Sequence, residues 1–387
     1  MKIGIITHWD SLDNYGQQLQ CWALQRYLKD LGHEPFLIKY LPTNKRTFWE
    51  RVIGFFKYRL IVPTSQKEED IKMAQMRKEN RQLNKKREFE EFRKRFIVST
   101  DVVYHSIDEL RSNPPCADAY ITGSDQVWNN PLSKPNTAGS FLDFGSLETK
   151  RVSYAASIGR QLHKNEMKRF GKYLSRFNSI SVREQKAYDY CHSVGYTDAV
   201  VTIDPTLLLK SADYDSIKSL AKTEIDNEKP YVFFYLLNIR SGADVYWETF
   251  KKKLIEEGFS VRSVASSGYL PAQEFLSGVS NEQATIPDWL SLIHNSQYVV
   301  TTSFHGVVFC ILYHKPFYAV LLKNEHSKAN DRIFTLLKTV QLEKRIIAKE
   351  ADIKDCSENI IDWDNVDSLL AEHKSKSINF LKHALMQ

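Results

Sequence analysis

Four short segments of this 387-residue sequence carry residue types that could hold an anion or a sugar and move a proton. The sharpest is Ser303-Phe304-His305-Gly306, which follows an apolar run, Tyr298 to Thr302, and opens another through Val308, Phe309 and Ile311. Ser303 is a good helix N-cap, so His305 falls in the first turn, where the dipole favours a neutral imidazole and a nearby anion. In Ser181-Val182-Arg183-Glu184 a guanidinium stands where a strand hands over to a helix, and arginine is the natural bidentate partner of carboxylate or phosphate. Gly123-Ser124-Asp125-Gln126-Val127-Trp128-Asn129 gathers a hydroxyl, a carboxylate, an amide and an indole in one turn; Gly123 permits backbone amides to face a substrate, and Asp125 suits sugar hydroxyls. His8 to Gly16 joins the first strand to the first helix, with Gly16 allowing close backbone approach and Asn14 offering a donor and an acceptor.

Each segment also has a bland reading. The third and fourth could be ordinary capped turns, Arg183 could pair with Glu184 or another acid, and a lone histidine is more often structural than catalytic. Their shared position just after predicted strands favours a site. Sequences for a phosphate-binding P-loop, a dinucleotide fingerprint, a zinc-protease helix and a nucleophile elbow are absent.

The elements that position these residues read as alternating strands and helices. Lys2–Thr7 is a strand, Gln17–Leu31 a helix stopped by Gly32, and Pro35–Tyr40 a strand. Strands at 119–122, 152–155, 179–182 and 199–203 and helices at 164–176 and 184–192 complete a first half closed by Asp204-Pro205. The polar stretch 210–229 is the best linker. A second series has strands at 231–237, 259–264, 298–302 and 317–322 and helices at 243–257, 287–294, 306–313, 331–339 and 366–385. Parallel strands need crossovers, so the expected fold class is α/β, two Rossmann-like parallel-sheet domains facing across a cleft. The expected domains are 1–210, with a basic helical insertion at about 43–97, then 228–363, and a C-terminal helix 364–387 packing back on the first domain. Ligands of such sheets bind beyond the carboxyl ends of the strands. Asn14, Asp125, Arg183 and His305 should therefore converge on one interdomain cleft.

Composition fits this: 42% hydrophobic residues can fill two cores, and five dispersed cysteines without a C-x-x-C pair suit a reducing cytoplasm and argue against a zinc site. No run approaches the ~20 apolar residues needed to cross a bilayer. The net charge of +6 is local, since residues 43–96 hold 16 Lys/Arg against 8 Asp/Glu, leaving about −2 elsewhere. Without a recognition motif beside that charge, nucleic acid is not an expected partner.

Taken together, the sequence resembles the polysaccharide pyruvyl transferases. The resemblance rests on Asn14-Tyr15-Gly16-Gln17-Gln18-Leu19-Gln20, Ile121 through Asn129, Ser153-Tyr154-Ala155-Ala156-Ser157, Ser181-Val182-Arg183-Glu184, Asp204-Pro205-Thr206-Leu207-Leu208 and Thr302 through Gly306. It extends from residue 1 to about 345, interrupted by the basic segment. It implies a GT-B-like fold and a transferase that moves pyruvate from phosphoenolpyruvate to a hexose of a lipid-linked polysaccharide repeat unit, such as a capsule or exopolysaccharide. The product is a ketal, phosphate is released, and no metal or further cofactor is expected. An arginine of the first half and a histidine of the second serve the donor in the family; they map onto Arg183 and His305. Asp125 would orient or deprotonate a hydroxyl, with Asn14, Tyr15, Gly16, Gly123, Ser124 and Ser303 lining the substrates. Many relatives carry Arg two residues before the histidine, where this chain has Ser303, so Lys328 or Arg332 is expected to supply the missing cation. The alternative is a glycosyltransferase of the same architecture using a nucleotide sugar; a third reading, a scaffold without catalysis, is disfavoured by polar residues at strand ends in both halves. For the basic, aromatic arm two expectations stand: packing on its own domain or another subunit, which is favoured, and peripheral contact with the inner face of an anionic membrane.

Overall fold

The structure is a computed structural model that describes residues 1–43, 75, 78–79, 81–130, 132–226, 228–264 and 276–386. Two six-stranded sheets form, each parallel throughout, and the expected fold class holds. The first has the order β2-β1-β3-β4-β5-β6, from β1 (Lys2–Ile6), β2 (Glu34–Leu37), β3 (Ala119–Thr122), β4 (Lys150–Ala156), β5 (Ser179–Val182) and β6 (Val200–Val201). The second has the order β12-β11-β10-β7-β8-β9, from β7 (Tyr231–Tyr235), β8 (Ser260–Val264), β9 (Asn281–Glu282), β10 (Val299–Thr301), β11 (Phe317–Val320) and β12 (Ile346–Ile347). Central strands such as β3, β7 and β10 are buried along their whole length, as continuous apolar runs covered on both faces must be.

Two elements depart from the expected pattern. The single helix predicted over 243–257 is a 3-10 turn, Gly242–Val245, and an α-helix, Trp247–Glu257, separated by Tyr246 in the left-handed region at φ 56°. Side-chain periodicity continues across such a break and does not report it. The stretch 210–229 is no free linker: it holds the short helix Asp215–Lys218 and buries Tyr214 and Ile217. The Tyr214 ring lies 5.2 Å from Trp22 and 5.0 Å from Phe309, so this connection is pinned to both halves.

Most of the basic segment, including Thr47–Val62, lies outside the described residues. Its last part packs inward. The helix Phe89–Phe96 buries Phe89 and Phe92, and Arg93 donates to the carbonyls of Trp9 and Ser11. The C-terminal helix Trp363–Met386 follows the second sheet but returns to the first, where Ser377 Oγ accepts from Ile203 N and Lys150 Nζ donates to the Leu385 carbonyl. Among the described residues, no helix is long and apolar enough to cross a membrane.

One apolar cluster runs through both halves. At its centre Tyr15, from the first helix (Tyr15–Asp30), stacks on Trp289 of the second half at 5.2 Å and 8°, and its hydroxyl donates to the Ala284 carbonyl. Arg87 donates from Nε to Gln283 Oε1, and Glu88 pairs with Lys222, so the end of the insertion straps the same seam. Tyr15→Ala is expected to cost about 3–5 kcal/mol in denaturant titration, the range for deleting a large buried aromatic. Tyr15→Phe, which loses only the hydroxyl's bond, should cost about 0.5–1.5 kcal/mol.

Candidate functional site

The carboxyl ends of β1, β3, β4, β5 and β6 follow one another in that order, and loops that leave them meet the start of the helix Phe304–Leu312 from the other domain. Pairing of Ile6 with Thr122 brings the turns after β1 and β3 together. The turn after β3 needs its glycine: Gly123 has φ +110°, and a Cβ there would overlap the Tyr154 carbonyl. A bulge where β4 meets β5, between Ser153 and Ala156, leaves the Ala155 carbonyl free to accept from Ser124 Oγ at 3.0 Å.

Asp204 is the hub. Its Oδ1 accepts from the Thr206 amide and hydroxyl, and Oδ2 accepts from Ser124 Oγ at 3.0 Å and Arg183 Nη1 at 2.6 Å. His305 Nε2 stands 3.5 Å from the same Oδ2, an ion-pair distance with no hydrogen bond. Burial alone would raise this carboxyl; His305 and Arg183 outweigh it and hold Asp204 far below the usual carboxylate range.

Arg183 is almost wholly buried, with Nη2 3.5 Å from Asp125 Oδ1, yet neither Nε nor Nη2 has a hydrogen-bond partner. Burial pulls its pKa down, and Asp204, Asp125 and Glu184 more than restore it. Its guanidinium lies 4.6 Å from the Phe304 ring centroid, and that of Arg332 lies 5.8 Å from the same ring. Desolvation and the facing Arg183 push Arg332 down to about 10. Two arginines thus lie beside one phenyl ring, and Arg332 makes a weak 3.4 Å hydrogen bond from Nε to the Ala329 carbonyl. Burial raises the Asp125 carboxyl, but His8, Arg183, His305 and Arg332 together leave it below its ordinary value.

The structure therefore brings Asp125, Arg183, His305 and Arg332 together, with Gly16 against them: a Cβ on Gly16 would overlap the imidazole of His305. Several other expected residues take different places. Asn14 caps the first helix by accepting from Gln17 N, so it shapes the loop, and Tyr15 spends its hydroxyl and both ring faces in the seam instead of lining substrate. Ser303 caps its helix by accepting from Gly306 N, and Ser124 bonds internally to Ala155 and Asp204. Lys328 is exposed, and no contact among the described residues joins it to the cluster, so Arg332 is the cation at hand. Glu184 pairs with neither arginine through a hydrogen bond; its Oε1 accepts from Ser157 Oγ and Ile158 N and ties down the loop after β4.

Sequence reasoning assigned no role to Asp204, Phe304 or His8. All three lay within its segments, Asp204 in an Asp-Pro pair at a strand end. His8 Nε2 lies 3.1 Å from the Gln126 carbonyl, so the turns after β1 and β3 are joined at the site's edge. Among the described residues, no group of three His, Cys, Asp or Glu is placed to hold a metal ion.

Solved structures share this architecture. The chain is similar to MnaA of S. aureus, solved with UDP, at 11% identity, with 99% of this chain and 96% of that chain covered and a TM-score of 0.52. It is also similar to the UDP-N-acetylglucosamine 2-epimerase of Rickettsia bellii, at 9% identity, 99% and 95% coverage and a TM-score of 0.50. These likenesses concern the fold alone: two Rossmann-like domains in a GT-B-like arrangement. No curated protein matches the sequence. A profile of the family described as polysaccharide pyruvyl transferase matches residues 14–324, and the chain belongs to that family.

Asp204→Asn removes one partner of a buried charged cluster and should cost about 3–5 kcal/mol in denaturant titration. Gly16→Ala forces His305 aside and should cost about 1–3 kcal/mol, with loss of activity well beyond that stability change.

Proposed function

We propose that this protein transfers pyruvate from phosphoenolpyruvate to a hexose of a lipid-linked polysaccharide repeat unit, forming a pyruvate ketal and releasing phosphate. The observation that carries the reading is the pair of arginines beside the Phe304 ring: Arg183, whose buried Nε and Nη2 have no hydrogen-bond partner, and Arg332, with a single weak bond. A small ligand with a carboxylate at one end and a phosphate at the other suits two guanidiniums, and their mutual repulsion is relieved when it binds. Family membership supports the saccharide acceptor.

The chemistry follows from the donor. Phosphoenolpyruvate is an enol ester; protonating its methylene carbon develops positive charge at C2, which a sugar hydroxyl traps. His305 supplies that proton. Arg183 and Arg332 balance the carboxylate and the departing phosphate, and Arg332 takes the part that an arginine at position 303 has in many relatives. The Asp125 carboxylate, held ionised by its cationic neighbours, orients the hydroxyl.

Arg183→Ala should weaken phosphoenolpyruvate binding by about 2–5 kcal/mol in calorimetric titration, and Arg332→Ala, being only half-buried, by less. His305→Gln should keep donor affinity and lower turnover by about 10²–10⁴-fold. Full donor affinity in a folded Arg183→Ala variant would remove the arginine pair from the reaction, and near-normal turnover by His305→Gln would remove the acid.

A further inference from the structure

We infer that the acceptor's sugar ring sits in a separate cavity of the first domain and that His8, which lines it, is the base for the attacking hydroxyl; this rests on the donor reading above. The cavity has a volume of about 230 Å³ and is lined by His8, Trp9, Asp10, Tyr40, Asn130 and Lys134, among others. Drug-sized ligands fill ~300–1,000 Å³, so this space suits one pyranose better than a nucleotide. An aromatic wall with a rim of carboxylate, amide and ammonium groups offers a sugar both an apolar face and hydroxyl partners.

The walls are fixed in advance. Trp9 Nε1 donates to the Tyr40 carbonyl, and Tyr40 Oη donates to the Asn136 carbonyl. The guanidinium of Arg93 lies 5.9 Å from the Trp9 ring centroid and donates to the Trp9 carbonyl. The cavity also shares its inner wall with the donor site. Thr7 Oγ1 donates to the Ser124 carbonyl at 3.0 Å, while Ser124 Oγ reaches Asp204. Asp125, next in the chain, is the electrostatic neighbour of both the cavity-lining His8 and Arg183, so the cavity adjoins the arginines.

The tautomer of His8 follows from its partner. The Gln126 carbonyl can only accept, so the 3.1 Å bond puts a hydrogen on Nε2 and leaves the neutral ring's lone pair on Nδ1. Nδ1 of this cavity-lining residue is then free to accept a proton. As the first hydroxyl oxygen bonds to C2, its proton passes to His8 Nδ1 and His305 gives a proton to C3. The second hydroxyl then closes the ketal while the bond from C2 to the phosphate oxygen breaks. Of the two protons now available, the second hydroxyl's and the one on His8, one restores His305 and the other leaves with phosphate as hydrogen phosphate.

The test uses methyl pyranosides of galactose, glucose and mannose, observed by ligand-detected NMR with the full chain, and calorimetry with phosphoenolpyruvate in parallel. At least one glycoside should bind the wild type, and both Trp9→Ala and Asn130→Trp should abolish that binding with phosphoenolpyruvate affinity unchanged. Asn130 is at the exposed rim, so its variant reports on the cavity even if Trp9→Ala fails to fold. No glycoside binding by the wild type, or binding that survives Asn130→Trp, would overturn the cavity assignment; absence of phosphoenolpyruvate binding would instead overturn the donor reading. With the bound glycoside as acceptor, His8→Gln keeps an amide for the Gln126 carbonyl but has no base, and phosphate release should fall about 100-fold or more. Turnover near wild type in that variant, or no phosphate release by the wild type with its glycoside bound, would overturn the role of His8.

Discussion

The site depends on one buried carboxylate. An ionised Asp204 without partners in this interior would cost several kcal/mol, and it is retained because five groups face it. Those groups are the amide and hydroxyl of Thr206, Ser124 Oγ, Arg183 Nη1 and the imidazole of His305. They come from the ends of different strands and, through His305, from the other domain. A single side chain therefore sets the spacing of the turn after β3, the arginine after β5 and the histidine after β10.

The charges around this hub do not cancel in the way a purely structural network would. Asp204 is spent on internal donors, whereas Glu184 keeps Oε2 and Arg183 keeps Nε and Nη2 without a hydrogen-bond partner, and Arg332 has one weak bond. The apolar seam makes this arrangement tolerable. Tyr15 stacks on Trp289 across the domains, Phe309 meets Trp289 edge-on, and Arg87 and Glu88 strap the seam from outside. The strain of gathering cations is thereby carried by packing of a kind that contributes roughly 0.5–1.5 kcal/mol per aromatic pair beyond its area.

Much of this was legible in the sequence, because strand and helix periodicity reports local burial directly. The apolar runs ending at Thr122, Val182 and Thr302 became strands, and Ser303 caps its helix as its type demands. What escaped depends on contacts between distant residues. Nothing local distinguishes Asp204 as a hub from Asp204 as the start of an Asp-Pro turn. Lys328 and Arg332 are four residues apart and equally cationic; only the course of the chain through the 3-10 turn Asn324–Asn330 sends one outward and the other to the cluster. Tyr15 and Asn14 sit inside a motif, yet the first is consumed by the seam and the second by a helix cap. For residues 89–96, where packing was the favoured expectation, the buried Phe89 and Phe92 set which way that helix faces.

The central claim is that Arg183 and Arg332 form a site for a small molecule bearing a carboxylate and a phosphate. Calorimetric titration of the wild-type chain with phosphoenolpyruvate, beside a titration with UDP, addresses it most directly. The account predicts saturable binding of phosphoenolpyruvate that is lost in Arg183→Ala and that UDP does not compete away. Tight binding of UDP with no response to phosphoenolpyruvate would contradict it and would assign the cleft to a nucleotide sugar.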